Sequence, residues 1–336
     1  MSTEVLIVGA GPTGLFAVFQ CGMLNMRSHV VDSLPYVGGQ CMALYPEKPI
    51  YDIPAFSKID GASLIENLRT QAEPFQPVFH LDQTLHKMES MGDDGFIATT
   101  TKGTKIKARA ILIAGGAGAY VPNRPALADL AFYEGKGIHY SVTSKEVFRH
   151  KKATVVGGGD SALDWAIALS DVASDVTLVH RRLGFTAAPA TVTKLHELVQ
   201  QNKIRLEAPA QITAVHGDEQ SVRSVTIKAS SIEKTVCTDH LLFFLGSVSS
   251  LGPIASWGLE LEGARIKVDP GTQQTSRRGI FAIGDIVVYP NKLKLILCGF
   301  SEAAMAAHAI HGFLYPDTVL VHKHSTSIGI PAVPLT

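Results

Sequence analysis

Cysteine is scarce and scattered in this chain. Among 336 residues there are four, Cys21, Cys41, Cys237 and Cys298, and no two form a C-x-x-C pair. That spacing excludes a relay through neighbouring thiols and suits neither a disulfide framework nor structural zinc. Charge is thin as well: charged residues make up 18%, below the roughly 25% usual in globular domains. Thirty Lys and Arg balance thirty Asp and Glu, so the broad basic footprint of a general nucleic-acid binder is missing. No apolar run approaches the ~18 residues that span a bilayer, and Met1-Ser2-Thr3-Glu4 lacks the charged head of a signal peptide. The reading is a cytoplasmic protein with neither nucleic acid nor membrane as partner. What fills the chain instead is apolar residue, 46%, and 30 glycines. At this length one hydrophobic core does not suffice, and two domains are expected.

The glycines are placed with a pattern. Val5-Leu6-Ile7-Val8 reads as a strand buried on both faces, and Gly9-Ala10-Gly11-Pro12-Thr13-Gly14 follows it directly. A helical stretch runs from Leu15 to about Asn25, and His29-Val30-Val31-Asp32 is a second strand ending in a carboxylate. Alone, G-x-G-x-x-G is only a tight turn. Between a strand and a helix, with an acid closing the next strand, it is the dinucleotide-binding fingerprint. The pattern recurs: Ala153-Thr154-Val155-Val156 leads into Gly157-Gly158-Gly159-Asp160-Ser161-Ala162, then a helical run through Leu169, then the strand Asp175 to Val179. Two nucleotide sites are implied.

The copies differ where the ribose is read. Asp32 stands 23 residues after Gly9, whereas the position 24 residues after Gly157 is Arg181, within His180-Arg181-Arg182. A carboxylate accepts from ribose hydroxyls and repels a 2′-phosphate, while paired guanidinium groups receive one, so the second site reads as NADP(H). The alternative for the arginines is a solvated surface. The first site then needs another dinucleotide, and FAD is the usual neighbour. Gly38-Gly39-Gln40 lets backbone approach a pyrophosphate or a flavin ring, and Gly284-Asp285 puts a carboxylate where ribityl hydroxyls could be held, its alternative being a turn cap.

The expected fold class is α/β, with two Rossmann-like, three-layer ββα dinucleotide-binding domains. The FAD-binding domain is discontinuous, 1–116 and 246–336 with a C-terminal tail 318–336, and the NADPH-binding domain, 117–245, is inserted into it. Alternating Phe96 to Thr101 and the strand Lys105 to Ile113 suggest an antiparallel layer over the first sheet; Val222 to Lys228 and Glu233 to Thr238 suggest its counterpart in the second. A helix is expected over Ser301 to Phe313. His308 and His311, and His322 and His324, are too few for a closed metal site, and no metal is expected.

Together with these motifs, Tyr45-Pro46-Glu47-Lys48, Ile50-Tyr51-Asp52, Lys292-Leu293-Lys294-Leu295-Ile296 and His324-Ser325-Thr326-Ser327 make the chain resemble, nearly end to end, the ferredoxin–NADP reductases of the thioredoxin-reductase-like type. The resemblance implies a homodimeric FAD enzyme passing electrons between NADPH and ferredoxin, or flavodoxin. Carried over residue by residue, FAD would be bound by Gly9, Gly11, Thr13, Gly14, Asp32, Gly39, Gln40, Tyr45, Leu85, Tyr120, Asp285, Ser325 and Thr326. NADP would be bound by Gly157, Gly159, Asp160, Ser161, Ala162, His180, Arg181 and Arg182. Tyr45 would stack on one face of the flavin and His324, from the tail, on the other as a gate; both count as catalytic. Hydride transfer needs nicotinamide C4 within roughly 3–3.5 Å of flavin N5 and no protein nucleophile. Two departures from the family pattern stand out: Thr186 follows Phe185 where the family usually has arginine, and Asn291 precedes Lys292 where glycine is common. The competing readings are an NADPH-dependent flavin or quinone reductase or diaphorase, a disulfide reductase, for which the cysteine pair is missing, and a non-enzymatic FAD-bearing redox sensor.

Overall fold

In a computed structural model, which describes residues 1–116, 118–142, 144–318, 326 and 329, the N-terminal apolar run becomes a central strand. This strand, β1 (Ser2–Val8), leaves Val5, Leu6 and Ile7 wholly out of solvent, each burial contributing about 1.5–3 kcal/mol. The chain divides into two units, the first made of Met1–Tyr120 and the stretch from Ser249 onward, the second of Val121–Val248.

In the first unit, β1 is followed by α1 (Pro12–Met23), β2 (Ser28–Val31), α2 (Gly39–Leu44), α3 (Gly61–Ala72), β3 (Val78–His80), β4 (Leu85–Ser90), β5 (Phe96–Thr100) and β6 (Lys105–Ile113). The sheet order is β3-β2-β1-β6-β5-β4. Pairing is parallel from β3 through β6 and antiparallel among β4, β5 and the first half of β6. Alternation of side chains splits the core in two. Val5, Ile7, Val30 and Leu112 face the helices, while Leu6, Val31, Ile111 and Ile113 face Leu85, Phe96, Ala98 and Ile106.

The second unit repeats the plan. It contains β7 (Ile138–His139), β8 (Lys152–Gly157), α4 (Asp160–Leu169), β9 (Asp175–Val179), α5 (Pro189–Gln200), β10 (Arg205–Glu207), β11 (Gln211–Gly217), β12 (Val222–Ala229), β13 (Ile232–Cys237) and β14 (His240–Phe244). Strands β7-β14-β8-β9-β10 form an all-parallel sheet. One face, through Val155, Leu178 and Leu242, packs on Ala162, Leu163, Leu195 and Leu198 of α4 and α5. The other, through Val156, Val179 and Phe243, packs on Val215, Val225 and Ile227 of the antiparallel ribbon β11-β12-β13. Parallel strands covered on both faces need continuous apolar runs, which the central strand β14 has in Leu241-Leu242-Phe243-Phe244, whereas the edge strand β10 is Arg205-Leu206-Glu207.

Back in the first unit, β15 (Ile280–Ala282) pairs in parallel with the second half of β6, Ile280 beside Ile111. The last described helix, α6 (Ile296–Leu314), begins at Ile296, well before the expected Ser301. Gly299, which by propensity would break a helix, lies inside it, because a Cβ there would collide with the Thr13 hydroxyl. Ala303, Ala306, Ala307 and Ile310, spaced for one helix face, pack with Ala17, Val18 and Cys21 of α1. No helix among the described residues is long and apolar enough to cross a membrane.

Candidate functional site

Helix α3 has the usual start: Asp60 caps it, accepting from the Ser63 amide at 2.8 Å. Helices α1 and α4 do not. Their N-caps are Gly11 and Gly159, and no side chain bonds the first-turn amides. Both helices therefore present bare N–H groups and the positive end of a helix dipole at the carboxyl end of a parallel strand, the arrangement that receives a dinucleotide phosphate.

In the first unit the turn is held open by sterics. Gly9 has φ +112°, and a Cβ there would run into the Ala114 carbonyl oxygen. Gly39, at φ +55°, would place a Cβ 2.9 Å from Gly11 Cα. The two glycine loops thus approach within a distance that any side chain would fill, and Gly38 N–H, donating to Ala10 O at 2.8 Å, ties them together. Asp32 follows β2 directly and is buried. Its Oδ2 accepts from Ala10 N–H at 2.6 Å and its Oδ1 from Leu34 N–H at 2.8 Å, which leaves each oxygen one lone pair for a ribose hydroxyl. Burial pushes this carboxyl above its ordinary value, against the lowering pull of the two amides.

Gln40 and Tyr45 lie on α2 and at its C-terminal cap. The Cys41 thiol donates to the Tyr45 hydroxyl at 3.6 Å, one turn away. Burial drives the Tyr45 phenol far above the usual range, with Cys41 and Asp285 adding to the shift; burial likewise raises Cys41. Asp285 therefore shares one electrostatic neighbourhood with Tyr45 and Cys41, and no hydrogen bond from a described residue takes up its carboxylate. Turn amides, the Asp32 carboxylate, a half-buried tyrosine and the Asp285 carboxylate fit a flavin dinucleotide, with donors for phosphate, acceptors for hydroxyls and an aromatic face for a ring. Leu85 is 2% exposed and packs with Leu6 and Val31 in the core, so only the edge of its wall is offered. The Tyr120 side chain, His324 and Ser325 fall outside the described residues, and Thr326 is exposed.

The second unit shows the same turn with other chemistry. Gly157 ends β8, and Gly159, Asp160, Ser161 and Ala162 start α4. Asp160 Oδ1 accepts from Ala188 N–H at 2.8 Å, fixing the loop ahead of α5. Strand register makes Val179 the partner of Val156, as Val31 is of Val8. His180, one residue before the arginine chosen by spacing, is thus the structural counterpart of Asp32. Its ring packs so closely on Gly158 that a Cβ there would collide with it. The ring also stacks on Phe185, 5.2 Å between centroids, and meets Gly184 O at 3.1 Å. Burial lowers its pKa, with Arg181 and Arg182 adding to that and the Gly184 contact opposing it. Arg181 and Arg182 come next, both exposed, and neither forms an ion pair among the described residues. Two uncommitted guanidinium groups beside a glycine turn form an anion receptor.

Sequence reasoning missed the bracing role of Thr186 and passed over Glu302. Thr186 donates to Gly158 O through its amide at 2.8 Å and its hydroxyl at 3.2 Å, bracing the turn where an arginine was looked for. Glu302, 1% exposed within the apolar helix α6, was not singled out, although a lone acid in an Ala-rich stretch is itself a signal. Among the described residues no group of three His, Cys, Asp or Glu could hold a metal ion.

The sequence matches the family described as pyridine nucleotide-disulphide oxidoreductase over residues 3–309. It is 49% identical over 333 residues to the ferredoxin–NADP reductase of Acidiphilium cryptum, covering 98% of both chains. To the enzymes of that name from Anaplasma phagocytophilum and Rhodospirillum rubrum it is 47% identical, covering 98% and 99% of this chain and 98% of each of theirs. Among solved structures, thioredoxin reductase from T. acidophilum matches with a TM-score of 0.77 at 22% identity, covering 93% of this chain and 98% of that one. The bacillithiol disulfide reductase of Staphylococcus aureus matches at 0.74 and 19%, covering 95% and 100%. These structural likenesses speak to fold alone.

Proposed function

Because this chain belongs to the pyridine nucleotide-disulphide oxidoreductases, and within them to the ferredoxin–NADP reductases, we propose that it passes electrons between NADPH and a ferredoxin through bound FAD. The observation that carries this reading is the contrast between its two dinucleotide turns, one closed by Asp32 and the other by His180-Arg181-Arg182. FAD is assigned to the part formed by 1–116 and 246–336, and NADPH to 117–245.

FAD, when bound, accepts a hydride from NADPH and releases electrons singly to an iron–sulfur acceptor. The chain's own residues bind and orient. Amides of the Gly9–Gly14 turn face pyrophosphate, Asp32 takes the adenosine ribose, Asp285 the ribityl chain, and Tyr45 lies against the ring with Gln40 beside it. In the other unit the Gly157–Ala162 turn faces the NADPH pyrophosphate, and Arg181 and Arg182 hold the 2′-phosphate. The stacking and gating role of His324, with Ser325 and Thr326 near FAD, belongs to this proposal and rests on the family pattern of the tail.

A relay through protein disulfides finds no support. The four cysteines are free, Cys21 and Cys41 are buried, and burial raises the Cys21 thiol to about 12, far from a reactive thiolate. A cytoplasmic homodimer completes the reading. The exposed side chains of Leu293, Leu295 and Leu297 supply apolar surface for self-association, which sedimentation would test.

The function is tested by NADPH oxidation with cytochrome c as terminal acceptor, with and without a ferredoxin. Strong dependence on ferredoxin is the expected result. Equal rates in its absence would replace the reading with that of a diaphorase or quinone-type reductase.

A further inference from the structure

The motif around Lys292, picked out for its specificity, has a structural partner. Glu302 lies in α6 with its side chain 1% exposed, and the Lys292 side chain is 3% exposed. The two form a buried ion pair through Nζ and Oε1. Oε1 also accepts from the Tyr289 hydroxyl at 2.6 Å. The other oxygen, Oε2, accepts from the Gly284 amide at 2.6 Å. Asn291, at φ +62°, makes the left-handed turn that brings Lys292 inward, a conformation asparagine tolerates.

Gly284 opens the turn that carries Asp285, directly after β15. It lies against Thr13 in the first turn of α1: a Cβ on Gly284 would sit 3.5 Å from the Thr13 hydroxyl, and Gly299 of α6 is closer still. One carboxylate of α6 therefore joins the Asp285 turn, through the Gly284 amide, to the Tyr289–Lys292 segment, and the Gly284 backbone it holds lies in turn against Thr13 of the glycine turn. A buried ion pair contributes little net stability over apolar residues of equal size, so fold stability alone gives no reason for its presence here.

We infer that Glu302 is a positioning residue for FAD: Oε2 fixes the Gly284 amide and thereby the place of Asp285 beside the α1 N-terminus, while Tyr289 and Lys292 lock the carboxylate through Oε1. The inference rests on the FAD reading above. What matters in it is the acceptor at Gly284, with the ion pair serving to aim that acceptor. A charge-free replacement that keeps the acceptor therefore preserves function, and an isosteric one that removes it does not.

The test is equilibrium FAD binding to apoprotein, followed by quenching of flavin fluorescence, beside the melting temperature of each apoprotein. Glu302→Gln with Lys292→Met keeps an acceptor for Gly284 and is expected to bind FAD within about 3-fold of the unaltered chain. Glu302→Leu with Lys292→Met removes it and is expected to bind about 30-fold more weakly at a similar apoprotein melting temperature. Equal dissociation constants for these two variants, both tight or both weak, would overturn the inference. If the leucine variant does not fold, Tyr289→Phe decides, since it loosens Oε1 and leaves Gly284 bonded. An affinity at least about 3-fold weaker, with an altered visible circular dichroism of bound flavin, supports positioning, and no change in either refutes it. Failure of the unaltered apoprotein to take up FAD would instead refute the FAD reading itself.

Discussion

The two glycine turns are built alike and finished differently. Each follows a buried parallel strand, opens a helix with no side-chain cap, and is closed by the residue after the next strand. In the first unit the closing residue is Asp32, whose carboxylate is spent partly on the turn itself through Ala10. In the second it is His180, whose ring packs on Gly158, and the arginines after it are exposed, the pair proposed to take the 2′-phosphate. The first turn is braced by an acid to which the proposed function also gives the ribose; in the second, bracing and the proposed reading fall to different residues. Tolerance to substitution follows from that division.

The largest expected effect is at Gly9. Gly9→Ala meets a backbone oxygen at a positive φ and has nowhere to move, costing about 3 kcal/mol or more, or roughly 6–10 °C in Tm, with loss of FAD. Gly158→Ala meets only a rotatable imidazole and should cost about 1–2 kcal/mol, weakening NADPH while FAD stays bound. Calorimetry with flavin content decides, and equal losses for the two would erase the contrast.

Next comes charge. Arg181→Ala with Arg182→Ala is expected to lower kcat/KM for NADPH by about 30–100-fold and to leave NADH within about 2-fold. Asp32→Ala should weaken FAD and leave the ratio of the two nucleotides unchanged. Equal effects of the arginine variant on NADPH and NADH would remove the 2′-phosphate assignment.

Each unit also joins an edge strand to its neighbour by a histidine pair, His29 with His80 and His139 with His240, both at 3.0 Å. Burial lowers all four, His139 to about 4. A lowered folded-state pKa means that the unfolded chain takes up the proton first. Stability is therefore full above about pH 6.5 and is lost as pH falls toward about 4. Replacing His139 and His240 by asparagine should flatten Tm between pH 7 and pH 5 by about 3 °C, more than the same change at His29 and His80. A steeper slope after either replacement would contradict this.

The smallest expected effect is a gain. Thr186 braces Gly158 through an amide that any residue keeps, and its hydroxyl lies near Gly159. Thr186→Arg should therefore lower KM for NADPH by about 3–5-fold without changing that for NADH, as steady-state kinetics would show. No gain would mean that position 186 does not face the phosphate.

Local order made much of this molecule legible in advance. Both turns, their strands and the acid-to-base change lie within short stretches, where a β-branched run, a glycine pattern and a closing charge are consecutive and need no distant partner. The alternation of Phe96 to Thr100 likewise revealed a half-buried strand, and it is one. The register of β8 and β9, which moves the counterpart of Asp32 to His180, was not readable from spacing, because a loop can shift by one residue while strand pairing cannot. Helix α6 starts before Ser301 because Gly299 is held against Thr13, 286 residues earlier in the chain. Glu302, Lys292, Tyr289 and Gly284 form one site only once β15, its turn and α6 have packed. Composition and local pattern thus decided that there are two nucleotide turns and of which kind. Folding decided which buried side chains hold them in place, since a buried polar group must find its partner wherever the packed chain puts one.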